Sequence, residues 1–262
     1  MANKIKIDIN GDGFGEFVSK LTDLSGIDDS VRLKIDNKDI LMYSILGRNV
    51  LLAFKNFLVP TRDVLSIEDD IDYQLDLIIP NVKKFVKNLG LIKDQNKVKI
   101  EFSYKESYDD NSIYQVRYFQ VSSGKFKINW IGGEHNNETR EISKEMLYRN
   151  LDLKNRKWSF ALSNEDFSDV KKLSSINSER IINVNIKDGK VNLSEKSAWD
   201  LEVDEIDDDR NSTLILNKRF LSCINDKMDK IEFSIFETFM LIKDNDSNLM
   251  LSFEQDFNDD DV

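Results

Sequence analysis

The stretch Trp158-Ser-Phe-Ala-Leu-Ser-Asn-Glu-Asp-Phe-Ser-Asp-Val-Lys-Lys-Leu173 joins a short strand pattern to an amphipathic helix pattern. Phe167, Val170 and Leu173 recur at helical spacing, so they predict a helix with one apolar face. A period-two run at positions 181–186 then predicts a strand with one buried face. The stretch therefore forms one unit of a strand, a helix and further strands.

The same unit occurs four times along the chain. Its helix patterns lie at 14–24, 80–89, 164–173 and 217–228, and its strand patterns lie at 31–35, 98–104, 181–186 and 231–235. Because an amphipathic helix must bury its apolar stripe, we expect the helices to pack on one face of the sheets. The sequence thus predicts an α+β fold of two similar domains, each with antiparallel sheets and two helices on one face.

The length of 262 residues suits two domains of ordinary size. The predicted N-terminal domain covers residues 1–130, an interdomain connector covers 131–157, and a C-terminal domain with an acidic tail covers 158–262. The single Cys223 cannot form an intrachain disulfide, which favours a reducing compartment. No apolar stretch approaches the length of a membrane span, so we expect a soluble, intracellular protein without a membrane partner.

The net charge of -11 argues against nucleic-acid binding, which an excess of Lys and Arg normally carries. The distribution of the charge argues the other way. Acidic residues collect at 68–72, 204–209 and 259–261, whereas the helix patterns carry basic residues beside their apolar stripes. These basic residues are Lys20, Lys83, Lys84, Lys87, Lys171, Lys172, Lys218, Arg219 and Lys227. Either they bind phosphates, or they only keep the helices solvated.

Four helix-plus-strand repeats, two domains and lysine-bearing helices in an acidic chain resemble the organisation of a DNA sliding clamp. This is the family of proliferating-cell nuclear antigen (PCNA) and the phage clamps. The best local resemblance covers 158–176, the strand at 181–186, a hairpin turn at Asp188-Gly189 and the segment 198–203. It is similar to the opening of a clamp's second domain, and the preceding segment 130–156 lies where the family has its interdomain connector.

The resemblance implies a topological function. Three two-domain subunits would close head to tail into a ring around duplex DNA, and the basic residues of the helices would meet phosphates without reading the base sequence. The implied partners are double-stranded DNA, a DNA polymerase and a clamp loader. The implied source is a phage, with the host cytoplasm as the compartment.

The resemblance also implies an outer groove for short hydrophobic peptides of other replication proteins. In clamps this groove lies where the start of the connector meets the C-terminal tail. The corresponding residues here are Ile128, Trp130, Ile131, Phe253 and Phe257. The alternative for Trp130 is an ordinary aromatic residue of the core or of an edge strand.

No residue pattern supports catalysis, a cofactor or a metal site, so we expect a protein that is not an enzyme. Asp8-Ile-Asn-Gly-Asp-Gly13 matches the first half of an EF-hand calcium loop, but Ser19 stands where a bidentate Glu is required, and a turn before the first helix is the alternative. His135 is the one histidine, which excludes a multi-histidine zinc site. Carboxylates at 207–209 and 259–261 could bind Mg²⁺, as in a nuclease. The alternative is that these acidic runs belong to a solvated loop and a solvated tail.

Two other functions fit the same repeats. A non-ring processivity or adaptor subunit would bind DNA directly through one basic face. A β-rich virion or scaffold protein would use the repeats as architecture, without a role for DNA.

Overall fold

The computed structural model describes residues 3–9, 11–47, 53–66, 74–106, 113–134, 142, 152–196, 198–207, 211–224, 229–243 and 247–253. The chain divides into two compact units. Unit 1 contains Met1–Arg48 and Lys55–Glu141, and unit 2 contains Asn49–Phe54 and Ile142–Val262. The bounds of the connector at 131–157 stay a prediction. Among the described residues, no helix has both the length and the apolar character needed to cross a membrane.

Unit 1 combines one sheet with short helices. Its strands are β1 (Asn3–Ile9), β2 (Ser30–Ile35), β3 (Asp39–Leu46), β4 (Ala53–Pro60), β5 (Leu65–Ser66), β6 (Gln74–Pro80), β7 (Val98–Glu106), β8 (Ile113–Ser123) and β9 (Phe126–Ile131), where β4 begins in the segment assigned to unit 2. Its helices are α1 (Gly11–Leu24), α2 (Thr61–Val64) and α3 (Val82–Leu89), followed by a 3-10 helix at Gln95–Lys97.

The strands of this sheet follow the order β4-β3-β2-β6-β8-β7-β1-β5, and β9 pairs with β8. Most neighbours are antiparallel. The pair of β6 and β8 is parallel, with Gln74 opposite Ile113. The predicted antiparallel sheet thus contains one parallel pair. Parallel neighbours need a crossover connection, and α3 and β7 lie between these two strands in the chain.

One apolar core lies between α1, α3 and the sheet. Phe17 and Leu21 of α1 and Phe85 and Leu89 of α3 are all buried in it. The Phe85 ring meets Phe119 of β8 edge-on, with 5.3 Å between the ring centroids. Two helices therefore cover one face of this sheet, as the amphipathic pattern predicts.

The central strands of unit 1 are buried on their other face as well. There the Nε of Arg32 on β2 donates to Asp76 Oδ1 on β6 at 2.8 Å, and a second contact joins Arg32 Nη2 to Asp76 Oδ2. Both side chains are buried. Beyond β9, the Gly133 N–H donates to the carbonyl of Ile78 on β6 at 2.9 Å, so this residue lies beside β6.

Unit 2 contains two sheets. Its strands are β10 (Trp158–Ser163), β11 (Ile181–Lys187), β12 (Lys190–Glu195), β13 (Trp199–Glu205), β14 (Ser212–Asn217), β15 (Lys230–Ile235), β16 (Phe239–Lys243) and β17 (Ser247–Ser252). The orders are β10-β15-β16-β17 and β13-β12-β11-β14. Helix α4 (Asn164–Ile176) follows β10, and 3-10 helices lie at Leu153–Asn155 and Lys218–Ser222. Phe160 of β10 stacks on Phe233 of β15, with 4.6 Å between the ring centroids.

Three of the four predicted helices are present as α1, α3 and α4, and the predicted strand segments are present as β2, β7, β11 and β15. The turn at Asp188-Gly189 is confirmed, since both residues have positive φ. The predicted helix at 217–228 is wrong in its described part, which is the 3-10 helix Lys218–Ser222. There the N–H of Cys223 bonds to the carbonyl of Phe220, a spacing of three residues. Residues 225–228 lie outside the described chain.

The stretch that matches half of an EF-hand spans the end of β1 and the start of α1. Asp8 lies in β1, and α1 already begins at Gly11, so no calcium loop forms between them. Gly13 has a packing role instead. A Cβ on Gly13 would lie 2.7 Å from the Asp63 carbonyl oxygen and 2.7 Å from the Val64 Cα, both in α2. The absence of a side chain lets α1 and α2 approach each other.

We predict opposite effects for alanine at Gly13 and Gly15, two of the three glycines of α1. Gly13→Ala should lower the free energy of unfolding by about 1–3 kcal/mol, because the new Cβ would overlap with the backbone of α2. Gly15→Ala is the matched control, since a Cβ there meets no atom within 4 Å. It should raise stability by up to about 1 kcal/mol through helix propensity. Urea unfolding of both variants measures the difference, and equal stabilities would contradict the close packing of α1 on α2.

Candidate nucleic-acid interface

Helix α3 is fixed on the core of unit 1 at both ends. At its start, the N–H of Val82 donates to the carbonyl of Asp29 at 3.1 Å, and Asn81 adopts the left-handed conformation just before the helix. Along the buried stripe, Phe85 contacts Trp130 of β9 with 5.1 Å between the ring centroids. The Trp130 indole N–H donates to the carbonyl of Pro80 at 3.1 Å. These contacts set the direction in which the polar face of α3 points.

The polar face of α3 presents three exposed lysines, Lys83, Lys84 and Lys87. Among the residues that the structure describes, no carboxylate lies within ion-pair distance of any of them. The predicted separation of apolar stripe and basic face is therefore present. Three ammonium groups on one short, rigid helix form a compact positive surface, which we call the α3 lysine face.

Lysines on the opposite face of the same sheet are arranged differently. Lys4 and Lys6 of β1 pair with Glu101 of β7 at 2.7 and 3.2 Å, and Lys99 of β7 pairs with Asp8 at 3.0 Å. The hydrogen bond from Lys4 holds the pKa of Glu101 below its ordinary value. The charges of these three lysines are neutralised locally, whereas those of the α3 lysine face are not.

Helix α4 carries two of the predicted basic residues, and both have local partners. Ser163 caps the start of the helix by accepting from the N–H of Asp166 at 3.0 Å. Lys171 is half-buried, with its Nζ 4.8 Å from the centroid of the Phe167 ring. Lys172 is exposed and forms an ion pair with Asp169 at 2.9 Å. An exposed pair of this kind is weak, so Lys172 can exchange Asp169 for another anion.

Lys20 does not lie on an exposed helix face, contrary to the prediction. Its side chain is 8% exposed, and its Nζ pairs with Glu16 at 3.2 Å and lies 4.8 Å from the centroid of the Phe57 ring. Phe57 belongs to β4, which is distant in sequence from α1. The helical spacing places Lys20 beside the apolar stripe, and packing by β4 then covers it. We therefore remove Lys20 from the candidate interface.

The basic residues of the 3-10 helix at Lys218–Ser222 also separate into two kinds. Lys218 is half-buried and pairs with Glu195 at 3.2 Å, so its charge is already compensated inside unit 2. Arg219 is exposed, and no ion pair forms at its guanidinium among the described residues. Lys227 lies outside the described residues. The described candidate residues are thus Lys83, Lys84 and Lys87 in unit 1, and Lys171, Lys172 and Arg219 in unit 2.

The structure disagrees with the predicted peptide groove more than with the predicted set of basic residues. Ile128 belongs to the core of unit 1, where it is 6% exposed, so its assignment to an open groove is wrong. Trp130 packs on Phe85, which supports the alternative of an ordinary structural aromatic. Ile131 is 73% exposed at the end of β9. In unit 2, Phe253 is half-buried, and Phe257 lies outside the described residues.

Two of the edge strands, β9 and β13, were not predicted from the sequence. Within the described part of the chain, β9 pairs with β8 alone and β13 pairs with β12 alone. The outer backbone groups of such a strand are available to another chain. The two strands differ in charge already in the sequence. Strand β9 contains Lys127 and no acidic residue, whereas four of the seven residues of β13 are acidic.

No protein-family model matches the sequence, and no curated protein matches it. Solved structures do match. The Helicobacter pylori beta clamp bound to a DNA ligase peptide is similar with a TM-score of 0.66 and 12% identity, over 97% of this chain and 66% of that chain. The DNA polymerase III beta chain of Streptococcus pneumoniae is similar with a TM-score of 0.63 and 12% identity, over 100% and 67% of the two chains.

An archaeal structure is matched over nearly the whole length of its chain. The PCNA2–PCNA3 complex of Sulfolobus tokodaii is similar with a TM-score of 0.57 and 13% identity, over 96% of this chain and 99% of that chain. The chain thus spans 66% of the first beta clamp and nearly all of the PCNA chain. The α+β class predicted from the sequence is confirmed, and the chain has the fold of the DNA sliding clamps.

Proposed function

We propose that this chain is a sliding clamp, a ring-shaped DNA polymerase processivity factor that encircles duplex DNA. The observation that carries the proposal is the α3 lysine face on a clamp fold. Lys83, Lys84 and Lys87 are exposed and have no ion-pair partner among the described residues, although the whole chain has a net charge of -11. Uncompensated positive charge in an acidic protein matches an anionic ligand, and the fold suggests that this ligand is DNA.

The chemistry of the α3 lysine face suits sliding. An ammonium group is a hydrated point charge that binds phosphate without the fixed geometry of a guanidinium. Contacts between lysine and phosphate carry no base-sequence information, and they exchange easily along the duplex. Three such contacts per copy are weak, so a protein that depends on them needs a second means of staying on DNA. A closed ring supplies that means by topology.

The edge strands β9 and β13 support a ring of identical copies. An interface between β9 of one copy and β13 of the next is heterologous, and such contacts close into a ring when the rotation per subunit allows it. The strands are complementary in charge, because β9 and its turn contain Lys125 and Lys127, whereas β13 contains four acidic residues, of which Glu202 also pairs with Lys190 at 2.8 Å. The length of the chain, which matches nearly all of the PCNA chain, supports three copies.

The remaining partners are inferred from the matched clamp structures and from the resemblance to sliding clamps. The matched Helicobacter pylori clamp binds a DNA ligase peptide, and we propose that this chain binds comparable peptides of a DNA polymerase and a clamp loader. Ile131, exposed at the end of β9, is the described member of the predicted groove that supports this. A phage source, and with it the host cytoplasm, rests on the resemblance alone.

Removal of the α3 lysine face should weaken DNA binding and should make the binding constant less dependent on salt concentration. For the variant with Lys83, Lys84 and Lys87 changed to Gln, the slope of log K against log salt concentration should fall by about 3 for each bound copy. Fluorescence anisotropy on a short duplex, from low to moderate salt, measures this slope.

The matched control for that variant removes the same charge from the opposite face of the same sheet. Lys4, Lys6 and Lys99 changed to Gln alter the net charge equally, and their exposed ion pairs contribute little to stability. This control should keep most of the slope. Equal losses in both variants would mean that net charge, and not the α3 lysine face, determines DNA binding.

Charge reversal at the two edge strands should control assembly. Changing Lys125 and Lys127 to Glu, or Glu202 and Glu205 to Lys, should each shift the protein towards monomer, because like charges then oppose each other across the interface. The variant with all four changes should recover the assembled form. Sedimentation velocity gives the mass of each species, and a wild-type protein that stays monomeric at all concentrations would contradict the ring.

A further inference from the structure

Unit 2 contains a buried carboxylate that the proposed function does not use. Glu195 ends β12, and its side chain is 0% exposed. Neither carboxylate oxygen has a hydrogen-bond partner among the residues that the structure describes. Burial of a carboxylate is costly unless a positive charge or several hydrogen bonds compensate for it. The structure must therefore supply a charge at this position.

Lys218 supplies that charge. Its Nζ lies 3.2 Å from Glu195 Oε1, an ion-pair contact without the angles of a hydrogen bond. The same Nζ donates a hydrogen bond to the carbonyl of Asn177 at 2.9 Å. Asn177 directly follows α4, and its Nδ2 donates back to the carbonyl of Leu173 at 3.3 Å. One ammonium group thus links the end of β12 to the C-terminal end of α4.

The surroundings of Glu195 offer no second cation among the described residues. Trp199 is its register partner across the β12–β13 hairpin, so the indole and the carboxylate lie on the same face of the hairpin. The neighbouring Lys196 pairs with Glu179 at 3.6 Å, and these two side chains are 66% and 38% exposed. That pair lies towards solvent, whereas Lys218 points inward.

Arg219, the residue that follows Lys218, is exposed to solvent instead. Its backbone N–H donates to Asn217 Oδ1 at 3.0 Å, which fixes the first turn of the 3-10 helix. Its guanidinium is exposed and has no ion-pair partner among the described residues. Two adjacent basic residues therefore face different environments, one inside unit 2 and one towards solvent.

We propose that Lys218 is a positioning residue that neutralises the buried Glu195 and holds the end of α4 and the 3-10 helix in place, while Arg219 is the residue that binds DNA phosphate. The part that concerns Arg219 rests on the proposed function. The part that concerns Lys218 and Glu195 depends only on contacts within unit 2. The two parts are separated by a stability measurement and a DNA-binding measurement on the same variants.

The stability measurement is a double-mutant cycle. Lys218→Met leaves Glu195 buried without a counter-charge, so the midpoint of thermal unfolding should fall by about 10 °C. Adding Glu195→Gln removes the uncompensated charge, and the double variant should recover at least half of that loss. Tryptophan fluorescence follows the transition, since Trp158 and Trp199 both lie in unit 2. Additive effects of the two substitutions would overturn the pairing.

The DNA-binding measurement uses the more stable double variant, with Arg219→Gln as its matched control. If Lys218 only positions other groups, the salt slope of duplex binding should stay that of the wild type in the double variant. It should fall by about 1 for each bound copy in Arg219→Gln. An equal fall in both variants would place Lys218 on the phosphates and overturn the proposal.

Failure of the proposed function would appear differently. A wild-type protein without salt-dependent duplex binding would contradict both the clamp and the phosphate role of Arg219. The double-mutant cycle would still decide whether Lys218 and Glu195 form a buried pair.

Discussion

The burial of each helix stripe against a sheet is the constraint on which the rest of the structure depends. In unit 1 the centroid of the Phe85 ring lies 5.3 Å from that of Phe119 and 5.1 Å from that of Trp130. These two contacts fix the orientation of α3. The polar face of the helix is then set by helical geometry alone. The α3 lysine face is therefore a consequence of packing, and packing also makes it rigid.

Local pairing explains how an acidic chain can present a positive surface. On strands β1 and β7, Lys4 and Lys99 each have a carboxylate within 3.0 Å, so these charges cancel close to where they arise. Lys20 and Lys218 are largely buried, and Glu16 and Glu195 compensate their charges. What decides the local potential is therefore the number of cations left without a partner. The three lysines of the short helix α3 have no such partner among the described residues.

Helical and strand periodicity predicted most of the fold because it reports local burial directly. The strands β2, β7, β11 and β15 and the helices α1, α3 and α4 all follow from spacing. Periodicity did not predict the parallel pair of β6 and β8, because register between distant strands is a tertiary property. It also misjudged the start of the 217–228 segment, where Asn217 caps a 3-10 turn that the apolar pattern cannot distinguish from an α-helix.

The candidate site was predicted less well, and the errors share one cause. A helical spacing shows which side of the helix a residue lies on, but not which distant strand reaches it. Lys20 is covered by Phe57 of β4, and Ile128 enters the core beneath α3. Lys83, Lys84 and Lys87 were correct as exposed cations: Lys84 and Lys87 lie near the centre of the polar face, and Lys83 lies nearer its border. Predictions of exposure from spacing are therefore safest at the centre of a face and weakest at its border.

In the proposed ring, weak contacts and a closed assembly depend on each other. If the lysines of α3 bound DNA tightly, sliding would be slow, and a ring would add little. If they bound it loosely in a monomer, the protein would dissociate, because contacts to a few phosphates give only a modest, salt-sensitive affinity. In the proposed ring, the outer edges of β9 and β13, which each pair with one strand among the described residues, supply the missing element, since a heterologous contact between copies turns several weak surfaces into one enclosure. In such an assembly the affinity of each lysine for phosphate can stay low, because retention on the duplex depends on the interface between subunits.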